Sequence, residues 1–128
     1  MVVLDTSIII DHLRQKNGET YLMELAEKSP KENLAISVIT VQELYEGKSS
    51  ADQKKEEYLL ATISPLKILP YNYEVAKLAG KIARDLEDPI ELADAAIAAT
   101  TITKGSSLFT LNKKDFKDIP DLDLFKLE

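Results

Sequence analysis

Asp5, Glu43, Asp94 and Asp115 fall at or just past the ends of strand-like runs, or in the first turns of helix-like ones. An α/β fold brings such positions together, and converging carboxylates are the ordinary ligands of a hard cation. Asp94 is the most informative of the four. It is the only charged residue from Leu92 to Ile102, in LADAAIAATTI, which otherwise reads as a buried helix. An isolated carboxylate there is costly, and a bound cation is the simplest compensation.

Each acid also has a plainer explanation. Asp5, followed by Thr6 and Ser7, suits a turn or a helix cap. Glu43 completes a capping box with Thr40, which accounts for it fully. Asp94 is placed in the second turn of its helix, where the dipole has mostly faded, so its explanation is weakest. Asp115 lies in NKKDFKD, a solvated-looking segment, and Asp118, Asp121 and Asp123 read as surface or turn residues. Asn112 suits either a cap or an orienting role beside a carboxylate or a water. His12 reads as an exposed helix residue. The aromatic residues form no ladder with basic ones for stacking bases. Four carboxylates converging without a cation would repel one another and favour protonation of at least one.

Composition narrows the chemistry. The chain has 128 residues, 45% hydrophobic and 30% charged, which fits one globular domain. It has no cysteine and a single histidine, so a metal would be held mainly by oxygen, favouring magnesium or manganese over zinc. The longest uncharged stretch near Asp94, Ala95–Thr103, is too short to span a membrane. MVVLDTS lacks the basic start of a signal peptide, so a cytoplasmic protein is the expectation. A net charge of −6 argues against gripping nucleic acid over the whole surface. Local contacts remain open, because Lys113, Lys114 and Lys117 cluster beside Asp115.

The elements that must position these residues alternate. Val2–Leu4 is a buried strand, followed by a helix from near Ile8. A second helix, with Tyr21, Leu22, Leu25 and Ala26 on one face, ends at Ser29-Pro30. Leu34–Val38 is the second strand, and Thr40 caps the helix after it. Ala51–Thr62 is helical, with Tyr58, Leu59 and Leu60 supplying apolar contacts. Lys67–Leu69 is the third strand, and Asn72 caps the helix Tyr73–Leu86. Pro89 takes the first position of a further helix that Gly105 ends. Ser107–Leu111 and Leu122–Leu127 are the last strands, with a short polar turn-helix between them. This order predicts a parallel sheet of four to five strands covered on both faces, a three-layer α/β/α sandwich in one domain over 1–128. Ligands of such sheets bind beyond the carboxyl ends of the strands, where Asp5 and Thr110–Asp115 fall.

The blocks VVLDTSIIIDHL, SVITVQELYEG, ELADAAIAATTITKG and LFTLNKKDFKDIPDLDL occur in an order and spacing that strongly resemble the PIN-domain ribonucleases, in particular VapC-type toxins of toxin–antitoxin systems. The resemblance runs nearly end to end, and the last two blocks are its specific part. It implies that Asp5, Glu43, Asp94 and Asp115 hold magnesium or manganese. It also implies that Ser7, with Thr6, positions a water or a ligand, and that Thr110 and Asn112 support the site. The implied reaction is endonucleolytic RNA cleavage by a metal-activated water, leaving a 5′-phosphate and a 3′-hydroxyl. The implied partners are a second copy of the chain and a small VapB-like antitoxin. Lys113, Lys114 and Lys117 are close enough in sequence to Asp115 to steer a phosphate backbone, which is a reading of the residues and not a family motif.

The main alternative is a PIN-fold binding or regulatory module that is catalytically silent, against which the intact quartet argues. A phosphatase of the haloacid-dehalogenase type wants D-x-D after the first strand, where this chain has Asp5-Thr6-Ser7. The order of acids and lysine does not suit a receiver domain. A flap-type DNA nuclease needs a helical clamp or arch for which the chain is too short.

Overall fold

Successive residues of a strand face opposite sides of the sheet, and those of the central strands sort into two separate cores. In the computed structural model, which describes residues 1–30 and 33–127, β1 is Val2–Leu4, β2 Leu34–Ser37, β3 Lys67–Leu69, β4 Ser107–Phe109 and β5 Asp123–Leu124. They form one sheet in the order β3-β2-β1-β4-β5, with parallel pairing throughout. Val2, Leu4, Leu34, Ile36 and Phe109 point into one core, whereas Val3, Ala35 and Leu108 point into the other.

The first core is closed by α1 (Thr6–Arg14), α2 (Tyr21–Lys28), α3 (Val38–Glu46) and α4 (Gln53–Ile63), through Ile8, Ile9, Leu25, Leu44 and Leu59. A short 3-10 turn, Lys48–Ser50, links α3 to α4. The second core is closed by α5 (Tyr73–Asp85), α6 (Leu92–Thr103) and α7 (Lys113–Phe116), through Val75, Ala79, Ile82, Ile97 and Phe116. Each fully buried aliphatic or aromatic side chain contributes on the order of 1.5–3 kcal/mol. The expected three-layer α/β/α sandwich, with five parallel strands, is therefore the observed fold.

The chain runs outward from β1 through β2 to β3 on one side, then crosses the sheet and resumes beside β1 with β4. This places the topological switch point between β1 and β4, the crevice where open parallel sheets bind ligands.

Several boundaries differ from the sequence expectation. The helix after β1 begins at Thr6 and not near Ile8, so Thr6 and Ser7 are helical. The second strand stops at Ser37, which caps α3 by accepting from the Ile39 N–H at 3.1 Å. Thr40 is thus inside the helix and caps nothing. Ser37 wins because its hydroxyl stands one residue before the first helical turn. On α4 only Leu59 of the three expected apolar contacts is buried, while Tyr58 and Leu60 are exposed. The sixth helix begins at Leu92 with Glu91 at its cap, and Pro89 stays in the connection, because Ile90 is drawn against the second core first. Asp94 consequently lies in the first turn of α6, not the second. Gly105, at φ +60°, turns the chain out of α6 towards β4, a conformation that only glycine adopts without strain. The last two strands are shorter than expected, ending at Phe109 and Leu124. Among the described residues, no helix is long and apolar enough to cross a membrane.

Candidate active site

Asp5 leaves the end of β1 with its backbone tied to β4, its N–H donating to the Phe109 carbonyl at 2.9 Å. The side chain is buried. It stands at the cap position of α1, as the plain reading has it, but its side chain makes no capping bond. Instead its Oδ2 accepts from Ser7 Oγ and from Thr110 Oγ1, each at 2.7 Å. Both hydroxyls are fixed from behind: Ser7 Oγ accepts from the Leu111 N–H at 3.1 Å and Thr110 Oγ1 from the Asn112 N–H at 2.9 Å. Their protons are therefore directed at the carboxylate, and Asp5 is held rigidly with its second oxygen left for other partners. Asn112 serves through its backbone and its side chain does not cap α7.

Glu43 lies on the second turn of α3, facing Thr6. Thr6 Oγ1 is 2.6 Å from Glu43 Oε1 and 3.0 Å from Thr40 Oγ1. The single Thr6 proton goes to the carboxylate, the stronger acceptor, and the buried Thr40 hydroxyl completes the chain. The capping box expected from Thr40 and Glu43 is absent; both residues face α1.

Asp94 is half-buried, and its carboxyl is pushed up to about 6. Burial is the largest cause, followed by the charges of Asp5, Asp115, Glu43 and Glu91, all raising it. The fields of the other three acids of the quartet thus converge on Asp94, and the first-turn helix dipole does not offset them.

Two grooves meet at this residue. One, of about 600 Å³, is lined by Asp5, Thr6, Ser7, Asp11, Glu43 and Asp94, together with Leu111 and Asn112. The other, of about 960 Å³, runs between the α5–α6 connection and α7 and is lined by Asp94, Asp115, Lys114 and Asp118 over an apolar floor of Ile82, Leu86 and Ile119. Asp115 is exposed on α7 and belongs to the second groove alone. Lys114 lines that groove, whereas Lys113 and Lys117 line neither. Among the described residues no three acidic or histidine side chains stand close enough together, as they are, to hold a metal ion.

The sequence reading missed Asp11 and Arg14. With Ser7 they recur at i, i+4 and i+7, one face of α1, and all three line the first groove. That spacing was the signal available. Asp11 Oδ2 is buried with no hydrogen-bond partner among the described residues. His12, expected to be exposed, is partly buried: Nδ1 lies 2.8 Å from Thr20 Oγ1 and Nε2 3.2 Å from Tyr58 Oη, and burial lowers its pKa. Its two ring nitrogens tie α1 to the N-cap of α2 and to α4.

Comparison with known proteins identifies the family. The family model described as PIN domain matches residues 2–122. Ribonuclease VapC1 of Rickettsia felis is 36% identical, over 96% of this chain and 93% of that protein. Ribonuclease VapC1 of Methanocaldococcus jannaschii is 32% identical, over 96% and 84%. Among solved structures, VapBC2 from Rickettsia felis bound to a DNA fragment from their promoter superposes with a TM-score of 0.86 at 28% identity, over 99% of this chain and 98% of that one. FitAcB from Neisseria gonorrhoeae superposes at 0.79 and 28%, over 98% and 97%. With a family model spanning nearly its whole length and relatives above 30% identity, the chain belongs to the PIN-domain family.

Proposed function

We propose that the chain is a divalent-metal-dependent endoribonuclease, the toxin of a type II toxin–antitoxin pair, with its site at the β1/β4 switch point. The observation that carries this reading is that Asp94, at the meeting of the two grooves, has its carboxyl pushed up to about 6 by burial first and then by the charges of Asp5, Asp115 and Glu43. Carboxylates that oppose one another's ionisation gain most from a cation. The ribonuclease names of the relatives and the toxin–antitoxin complexes among the structural neighbours support the same reading.

The donor set is oxygen only, which fits Mg2+ or Mn2+. Asp5, Glu43 and Asp94 would hold the cation, with Asp115 joining from α7. When bound, such an ion supplies a Lewis acid and an acidified water at neutral pH. Ser7 and Thr110 keep one oxygen of Asp5 occupied and turn the other towards the groove. Thr6 and Thr40 hold Glu43 in place on the facing helix. Asn112 fixes Thr110, and Lys114, with Lys113 at the start of α7 and Lys117 just past its end, draws the RNA backbone towards the acids. Attack by water forms the new P–O bond while the P–O3′ bond breaks and the 3′ oxygen leaves and takes up a proton, so the product ends are a 5′-phosphate and a 3′-hydroxyl.

A VapB-like antitoxin is the proposed partner, laying a basic segment along the acidic grooves. A second copy of the chain is proposed as well. Exposed Tyr21, Met23, Tyr45, Tyr58 and Leu60 on α2, α3 and α4 supply apolar surface for such contacts.

The test is to map the ends left on RNA by the purified chain in Mg2+ or Mn2+. A 5′-phosphate with a 3′-hydroxyl supports the proposal. A 2′,3′-cyclic phosphate would assign the attack to the ribose and contradict it.

A further inference from the structure

Arg14 is the one lysine or arginine among the residues lining the groove that holds Asp5, Glu43 and Asp94. It is the last residue of α1, so its backbone is fixed by a helix whose other end carries Thr6 and Ser7. Its guanidinium makes no ion pair or side-chain hydrogen bond among the described residues. This is notable because Asp5, Asp11, Glu43 and Asp94 line the same groove, and arginine ordinarily pairs with a carboxylate within reach.

Several of the nearby carboxylate oxygens are already engaged or buried. Oδ2 of Asp5 is taken by Ser7 and Thr110, and Oε1 of Glu43 by Thr6. Oδ2 of Asp11 is buried away from any partner. The exposed guanidinium is thus left at the rim of an acidic groove on a chain of net charge −6. An RNA strand entering that groove meets four carboxylates, and Arg14 is the one cationic side chain lining it. A guanidinium presents a planar fork that matches two phosphate oxygens, which an ammonium cannot do.

Resting on the ribonuclease reading above, we propose that Arg14 is a substrate-positioning residue that grips an RNA phosphate flanking the scissile one. It acts on binding and leaves the chemistry to the acids. Arg14 is exposed at a helix end, so replacing it leaves the fold intact.

The experiment compares the wild-type chain with Arg14→Gln and Arg14→Lys. Cleavage kinetics are read in Mn2+. Binding of a fluorescein-labelled mixed-sequence single-stranded RNA is read in Ca2+ over a series of salt concentrations. Arg14→Gln should raise KM about tenfold with kcat nearly unchanged. It should also flatten the slope of log affinity against log salt by about 0.7, the counterion release of one single-strand phosphate contact. Arg14→Lys should restore the slope and only part of the KM. A Gln variant with unchanged KM and slope overturns the proposal, as does a loss confined to kcat. If the wild-type chain binds but cleaves no RNA, the ribonuclease reading fails while the salt slope still decides Arg14. A wild-type chain that binds no RNA overturns both.

Discussion

Thr110, just past the end of β4, donates its hydroxyl to Oδ2 of Asp5 at the end of β1, across 2.7 Å and 105 residues of sequence. The bond spans the switch point of the sheet and makes the position of the first acid depend on the last part of the fold. Removing that hydroxyl by Thr110→Val, at nearly equal volume, should lower Mn2+ affinity or activity about 10–100-fold. Thr110→Ser should restore most of it. Calorimetric titration of Mn2+ into the two variants checks this, and equal affinities would show that Asp5 needs no such support.

Thr6 plays the same part for Glu43, from the first turn of α1 to α3. Thr6→Val should leave Oε1 without its donor and lower the cleavage rate by about tenfold or more. Thr6→Ser keeps the hydroxyl and should retain activity. Rates of RNA cleavage under saturating Mn2+ distinguish the two.

Asp94 makes metal-free stability depend on pH. Its carboxyl is raised from 3.8 to about 6 in the folded chain, so the folded state holds the proton more tightly than the unfolded one. Its contribution to stability is fully present below about 4 and is lost as pH rises to about 6, above which both states are ionised. Asp94→Asn removes the penalty. In chelator at pH 7 it should melt a few degrees above wild type, with the difference closing near pH 4. Thermal melts at both pH values check the sign.

Cation binding should reverse that penalty. Mn2+ at about 100 times its dissociation constant should stabilise the wild-type chain by about 2.7 kcal/mol at pH 7. The gain should shrink at pH 5, where Asp94 must first lose a proton, and it should disappear in Asp94→Asn. Melting midpoints across a Mn2+ series, with chelator as the control, read it directly.

Much of this site is legible in the sequence because strand patterning and acids at strand ends are local signals. Val2–Leu4 and Lys67–Leu69 occur where their apolar runs place them, and Asp5 emerges at the sheet edge that its position after β1 requires. Pairings between hydroxyls and carboxylates are not local. Thr40 and Glu43 satisfy a capping pattern three residues apart, yet both are engaged by Thr6, more than thirty residues earlier. The start of α6 was misjudged for a related reason. Pro89 suits a first helical position by propensity, but tertiary packing of Ile90 delays the helix and moves Asp94 into the first turn. Arg14 was hidden because only the fold reveals that the cation at the end of α1 shares a groove with Glu43 and Asp94.

The most direct measurement is cleavage of a single-stranded RNA by the wild-type chain and by Asp94→Asn, side by side, with Mn2+ and with chelator. The acidic cluster predicts cleavage only by the wild-type chain and only with the metal. Equal cleavage by Asp94→Asn, or wild-type cleavage that persists in chelator, would contradict it.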